Sequence, residues 1–216
     1  MTGGLSRRKW LRATAIQAVA LGAGSGLSLR AAWAGTQREE LLADAVRTAL
    51  AAEIAGSPPP KPEFRDPAHF AQYWGWMATQ SVRLQGRMRG LAVRRDFLQT
   101  LWYESHRAGL DPALVLGLIQ VESGFNKYAI SPVGALGYMQ VMPFWTRQIG
   151  NGQPMSLLHM QVNLRYGCVI LRHYLDMESG NLFYALGRYN GSRGLAAYPD
   201  AVLAARRQWR VMGGSG

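Results

Sequence analysis

Glu122 stands where an apolar residue belongs. Val115, Leu118, Ile119 and position 122 fall at i, i+3, i+4 and i+7, one face of a helix. Three of these positions are aliphatic and the fourth is an acid. A carboxyl group in a core-facing slot loses its water, and the carbonyl end of a helix adds negative potential. Both effects raise its pKa. A carboxylic acid that stays protonated near neutral pH can protonate a leaving oxygen, which is the work of a general acid. The residue types leave a second reading open. So close to a helix end, Glu122 can also tilt into solvent or pair with an arginine.

The helix that positions it is well delimited. Asp111 is a good N-cap, Pro112 suits the first helical position, and the helix is expected to end near Ser123-Gly124. A loop with turn residues Ser131-Pro132, Gly134 and Gly137 follows, and a short helix is expected from Tyr138 onward. Further helices are predicted over Arg38–Ile54, from Asp66-Pro67 through Phe70, Tyr73, Trp74 and Met77, and over Arg95–Arg107, Val162–Leu175, Leu182–Tyr189 and Asp200–Val211. There is no convincing alternating run of β-branched residues and no fixed repeat. The fold class is therefore all-α, or mainly α with at most a small hairpin.

Motifs around the acid sharpen the reading. Val121-Glu122-Ser123-Gly124-Phe125 is followed by Ser131 and then by Gly134-Ala135-Leu136-Gly137-Tyr138-Met139-Gln140-Val141-Met142-Pro143. Asn163 precedes Gly167, then Tyr174-Leu175; Ala185-Leu186-Gly187-Arg188-Tyr189-Asn190-Gly191 comes last. These segments resemble, in order, the motifs of the soluble lytic transglycosylase family, between about Asp111 and Tyr198. Tyr138 stands where leucine is usual and Arg188 where alanine is usual. Residues 35–100 are not covered by the motifs.

The resemblance implies a lysozyme-like helical domain of the goose-type lysozyme and transglycosylase kind, acting on peptidoglycan glycan strands. Glycosidases commonly use two carboxyl groups, yet no Asp or Glu occurs from Ser123 to Leu175. Asp111 is committed as a cap, and Glu104 lies on another helix. A one-acid mechanism is the one the resemblance implies. Glu122 protonates the glycosidic oxygen between muramic acid and glucosamine, and the substrate's N-acetyl group assists. Glu122 then takes the proton of the muramic 6-hydroxyl, which closes to a 1,6-anhydro sugar.

Other roles follow from position in the motifs. Ser123 is placed to orient the acid or bind substrate, with a helix C-cap hydroxyl as the alternative. Met139 and Gln140 are candidates for the cleft lining, the latter against a sugar N-acetyl group. Tyr189 is expected near the acid, and Asn190 to tie down its loop. Gly167 is expected to permit close helix packing. Tyr138, Phe144 and Trp145 are candidate sugar-stacking faces, although aromatics are more often core.

Composition bounds the context. The 216 residues carry 24 basic and 13 acidic side chains, a formal charge of +11. Five of the basic residues (Arg7, Arg8, Lys9, Arg12, Arg30) and no acid lie in residues 1–34. Arg7-Arg8, a mildly apolar run from Ala13 to Leu29 and Ala32-Trp33-Ala34 have the layout of a twin-arginine export signal. A retained anchor or an ordinary secretory signal is the alternative. The expected organisation is an export signal over 1–34, a helix and proline-rich linker over 35–62, and the transglycosylase domain over 63–216. The expected location is periplasmic or otherwise exported, with no stable membrane span after signal removal.

The remaining +6 suits an acidic polymer such as cell wall. No helix-turn-helix, zinc-finger or RNA-binding signature points to nucleic acid. Cys168 is the only cysteine, so no intrachain disulfide can form, and the four histidines lack metal-ligand spacing. No cofactor and no metal are expected. Wall-spanning secretion or appendage machinery is a candidate partner. The rival readings are a lysozyme-like hydrolase and a non-catalytic peptidoglycan-binding or assembly protein.

Overall fold

The computed structural model describes residues 37–56, 62–64 and 66–211. The predicted export signal and most of the proline run lie outside the described residues. Among those described, the chain forms eight α-helices and one 3-10 helix, with no strand longer than an isolated bridge. In chain order they are α1 (Asp44–Ile54), α2 (Pro67–Leu84), α3 (Leu91–Arg107), α4 (Pro112–Glu122), α5 (Phe144–Ile149), the 3-10 turn Pro154–Leu158, α6 (Met160–Met177), α7 (Leu182–Asn190) and α8 (Ala197–Trp209). The mainly helical class is as the sequence predicts, and no described helix is long and apolar enough to cross a membrane.

Capping explains the starts. Asp66 and Asp111 each accept a backbone N–H two residues on, from Ala68 and Ala113, both at 2.8 Å, and each is followed by proline. Asn181 caps α7 through Tyr184 N–H, and Gly191 ends it in the left-handed conformation. The predicted helix over Arg38–Ile54 begins only at Asp44, because the residues before it are engaged with α5 and α7 instead. The short helix expected from Tyr138 begins at Phe144. Residues 136–141 turn back on themselves through the bridge Leu136–Val141, with Gln140 at φ +49°.

Helix α4 is the axis of the core. Every residue from Ala113 to Ile119 is buried, so Glu122 extends a helix that is enclosed on all sides rather than on one stripe. Its main partner is α8, and Gly117 makes that packing possible. A Cβ at position 117 would stand 2.6 Å from the Arg206 backbone nitrogen. The pair is closed at one end by Arg206, whose Nε donates to Asp111 Oδ2 at 2.7 Å.

Two further devices lock the bundle. Glu104 of α3 and Arg165 of α6 are both almost fully buried and share a forked ion pair, with Arg165 Nη2 donating to Glu104 Oε1 at 2.8 Å. Arg165 Nη1 also donates to the Gly56 carbonyl, which ties the end of α1 to α6. On the other side of α3, Tyr73, Trp76, Trp102 and His106 form a run of ring contacts, the tightest being Trp102–His106 at 4.1 Å between centroids. Cys168 is enclosed in α6, where burial pushes its thiol pKa up.

Candidate active site

Glu122 is the last residue of α4 and is 7% exposed. Its Oε1 accepts the Tyr198 hydroxyl at 2.5 Å, and its Oε2 is buried without a hydrogen-bond partner. Burial lifts its pKa to about 8, and the Tyr198 hydrogen bond pulls in the opposite direction but more weakly. At neutral pH the group is a carboxylic acid with one unoccupied oxygen. It does not tilt into solvent, and no arginine among the described residues holds its carboxyl.

The opposite wall is the loop 129–143, held by α6. Asn163 is the clamp. Its Oδ1 accepts the Met139 N–H, and its Nδ2 donates to the Leu136 and Leu157 carbonyls, all at 2.8 Å. Gly137, at φ +75°, leaves room for that side chain: a Cβ there would meet Asn163 Nδ2 at 2.4 Å. Ser131 braces the loop start, its Oγ accepting the Ala135 N–H at 2.9 Å. The loop reaches Glu122's own helix through Ser123, whose hydroxyl donates to the Tyr138 carbonyl at 2.7 Å.

Several sequence-predicted residues serve this scaffold rather than facing outward. Ser123 is spent on Tyr138 and on the Ile119 carbonyl, the C-cap alternative. Met139 is fully buried, and its side chain fills the space over Gly167, where a Cβ would stand 2.3 Å from Met139 Sδ. Gly167 therefore admits a loop side chain, not a neighbouring helix. The Gln140 amide nitrogen donates to the Gly137 and Ala129 carbonyls at 2.9 and 3.2 Å. Asn190 is buried at the end of α7.

The expected stacking faces are core. Tyr138 packs its ring 4.9 Å from Phe97, and burial pushes its hydroxyl pKa up to about 12. Phe144 and Trp145 are buried as well. The apolar bodies of these rings are worth more inside than on a wet face.

The tyrosine at the acid is also not the one the motif indicates. Tyr189 is completely buried and donates to the Met139 carbonyl at 2.8 Å, close enough to Glu122 to feel its charge but not bonded to it. Tyr198 makes the bond instead. It lies at the start of α8, and the close α4–α8 packing brings it to the C-terminus of α4. Neither spacing nor periodicity marks it, since it is 76 residues from its partner.

Among the described residues, no second carboxylate joins Glu122. Glu104 is saturated by Arg165 and Arg107, and Asp111 by its cap and Arg206. A separate cavity of about 700 Å³, lined by Phe64, Trp102, Tyr103 and His106 among others, shares no lining residue with the glutamate.

Part of the chain is similar to known proteins. Residues 101–199 match the model of the Transglycosylase SLT domain. Among curated proteins, the chain is similar to the membrane-bound lytic murein transglycosylase C of Haemophilus influenzae, 30% identical over 115 residues, which are 46% of this chain and 32% of that protein. It is similar to the protein of the same name from Mannheimia succiniciproducens, 49% identical over 65 residues, 30% of this chain and 18% of the other. The chain thus spans a third or less of the length of these relatives. Among solved structures, an inactive mutant of lytic transglycosylase Slt from Pseudomonas aeruginosa aligns at TM-score 0.42 and 24% identity, over 66% of this chain and 27% of that one. The segment that matches this model, residues 101–199, holds the buried glutamate, its tyrosine and the clamped loop.

Proposed function

We propose that this chain is a peptidoglycan lytic transglycosylase. It cleaves the β-1,4 bond between N-acetylmuramic acid and N-acetylglucosamine and leaves a 1,6-anhydro end. One observation carries the reading: the enclosed Glu122 carboxyl, with a pKa near 8, one oxygen held by Tyr198 and the other buried without a partner. Such a group donates a proton to the glycosidic oxygen at neutral pH. As its anion, it accepts the muramic 6-hydroxyl proton while that oxygen bonds to the anomeric carbon, so no water is consumed. Tyr198 steadies the anion between the two steps. The lack of a second carboxylate beside Glu122 among the described residues supports an internal nucleophile over a water positioned by an acid.

The wall location follows from the same reading. Residues 1–34 act as an export signal of twin-arginine layout, residues 35–62 as a helix and linker, and 63–216 as the lysozyme-like catalytic domain. The relatives' printed names include a membrane-bound location and murein as substrate, which fits an exported enzyme. The positive balance left after removing residues 1–34 suits an acidic wall polymer.

The test is digestion of purified sacculi with the wild-type protein beside Glu122→Gln, read by mass spectrometry. Products lighter than hydrolysis products by one water, absent with the variant, are expected. Reducing-end products would replace this reading with a lysozyme-like hydrolase. No products from folded protein would favour a binding or assembly role.

A further inference from the structure

The cavity of about 700 Å³ lies along the second half of α3, apart from the acid. A short turn joins α3 to α4, and Phe97 of α3 meets Phe125, just past the end of α4 that carries Glu122, at 6.1 Å between centroids. Tyr103 and His106 come later on α3, about 9 and 14 Å further along its axis toward the start of α4.

The cavity has an aromatic floor that is fixed from below. Trp102 packs on Tyr73 and Trp76, at 5.3 and 4.8 Å between centroids, and Phe64 packs on Tyr73 at 4.9 Å. The His106 ring lies against Trp102 at 4.1 Å, and its Nδ1 donates to the Trp102 carbonyl at 2.7 Å. A carbonyl only accepts, so Nδ1 carries the hydrogen and Nε2 is left to a ligand.

Other polar groups in the lining are unspent. The Gln99 amide, the Tyr103 hydroxyl and the Glu63 carboxylate make no hydrogen bond or ion pair with another described residue. Arg107 also lines the cavity, but its charge is committed. Its Nη2 donates to the Glu53 carbonyl at 2.6 Å and pairs with the Glu53 carboxylate at 2.8 Å, and its Nη1 lies 3.7 Å from Glu104.

These groups select a ligand class. A sugar ring has an apolar face of C–H bonds, which suits aromatic rings, and an edge of hydroxyl and acetamido groups, which suits an amide, a phenol, an imidazole and a carboxylate. An anion would meet Glu63 and an arginine already paired, which disfavours phosphates and peptide carboxylates. The volume falls within the range of ligand sites, about 300–1,000 Å³.

We propose that this cavity is a second glycan-binding site, which holds a neutral, N-acetylated stretch of the strand away from Glu122 and keeps the enzyme on the wall between cuts. The wall strand as its source rests on the transglycosylase reading of Glu122; the sugar chemistry of the cavity does not.

The full chain carrying Glu122→Gln is titrated with the N-acetylglucosamine tetramer and followed by proton–nitrogen NMR. The Gln99 side-chain amide and the Trp102 indole signals should shift and saturate. Sedimentation with purified sacculi is then compared for Glu122→Gln alone and with Gln99→Ala and Tyr103→Ala added. Both positions are partly exposed on a helix, which alanine favours, and thermal unfolding checks the fold. The added pair should raise the Kd for sacculi about tenfold, the equivalent of about 1.4 kcal/mol. A folded variant that sediments as fully as Glu122→Gln overturns the proposal. Gln99 and Trp102 signals that ignore the tetramer overturn it too, and with weakened sedimentation they assign the cavity to peptide arms. A tetramer that binds here, while wild type releases no anhydro product from sacculi, leaves the cavity a sugar site and overturns the transglycosylase reading alone.

Discussion

At the scale of single residues, the site turns on one carboxyl whose pKa is set by two opposing influences, burial and the Tyr198 hydroxyl. Removing the Tyr198 hydroxyl leaves burial unopposed. In Tyr198→Phe the alkaline limb of kcat/KM should therefore move to higher pH, by about 1 unit, while the plateau falls. A pH–rate profile of wild type and variant decides it, and a limb that stays put removes Tyr198 from the mechanism. The same carboxyl makes stability depend on pH. Its folded pKa, about 8, lies above its unfolded value, so the folded state binds more protons between about pH 4.5 and 8. Stability is lost as pH rises through that window. Glu122→Gln carries no such penalty and should unfold at a higher temperature than wild type, by a margin that grows from pH 5 to pH 9, the energy involved being on the order of a few kcal/mol. Glu122 was legible in the sequence because an acid broke an apolar period. Tyr198 was not, because nothing local ties it to a residue 76 positions away. The motif directed attention to Tyr189, which serves the loop.

At the scale of elements, the caps made α2, α4 and α7 readable, since Asp-Pro, Asn and Gly act on their own neighbours. The start of α1 and the loop 129–143 were not readable, because distant partners decide them. Asn163 is the clearest case: it organises the loop from the far side through three hydrogen bonds. Asn163→Leu strands one donor and two acceptors in the interior and should cost about 2–4 kcal/mol in chemical denaturation. Its rate loss should exceed what the unfolded fraction explains. Gly117 is the other dependence on tertiary context. Gly117→Ala must push α8 away from α4, and Tyr198 with it. It should cost about 1–3 kcal/mol, although alanine favours helix, and it should shift the Glu122 limb in the same direction as Tyr198→Phe.

At the scale of the whole molecule, the mostly apolar packing of the described residues is crossed by a buried ion pair. Glu104 and Arg165 join α3, α6 and the end of α1, and neither was assigned this role by sequence pattern. Glu104→Ala should destabilise by about 3–5 kcal/mol, since it leaves a buried guanidinium without its anion. Replacing both by methionine should recover most of that loss, and a double-mutant cycle in denaturant measures the difference.

The lone cysteine is seated at the middle of this assembly, in α6 and among the residues that hold the loop. A thiol shut in this way reacts with a water-soluble reagent only when its surroundings open. Its labelling half-life is therefore a clock for native-state opening. That clock is built into the unmodified chain, runs at a single position, and can be read in turbid suspensions, where optical melting curves cannot be recorded.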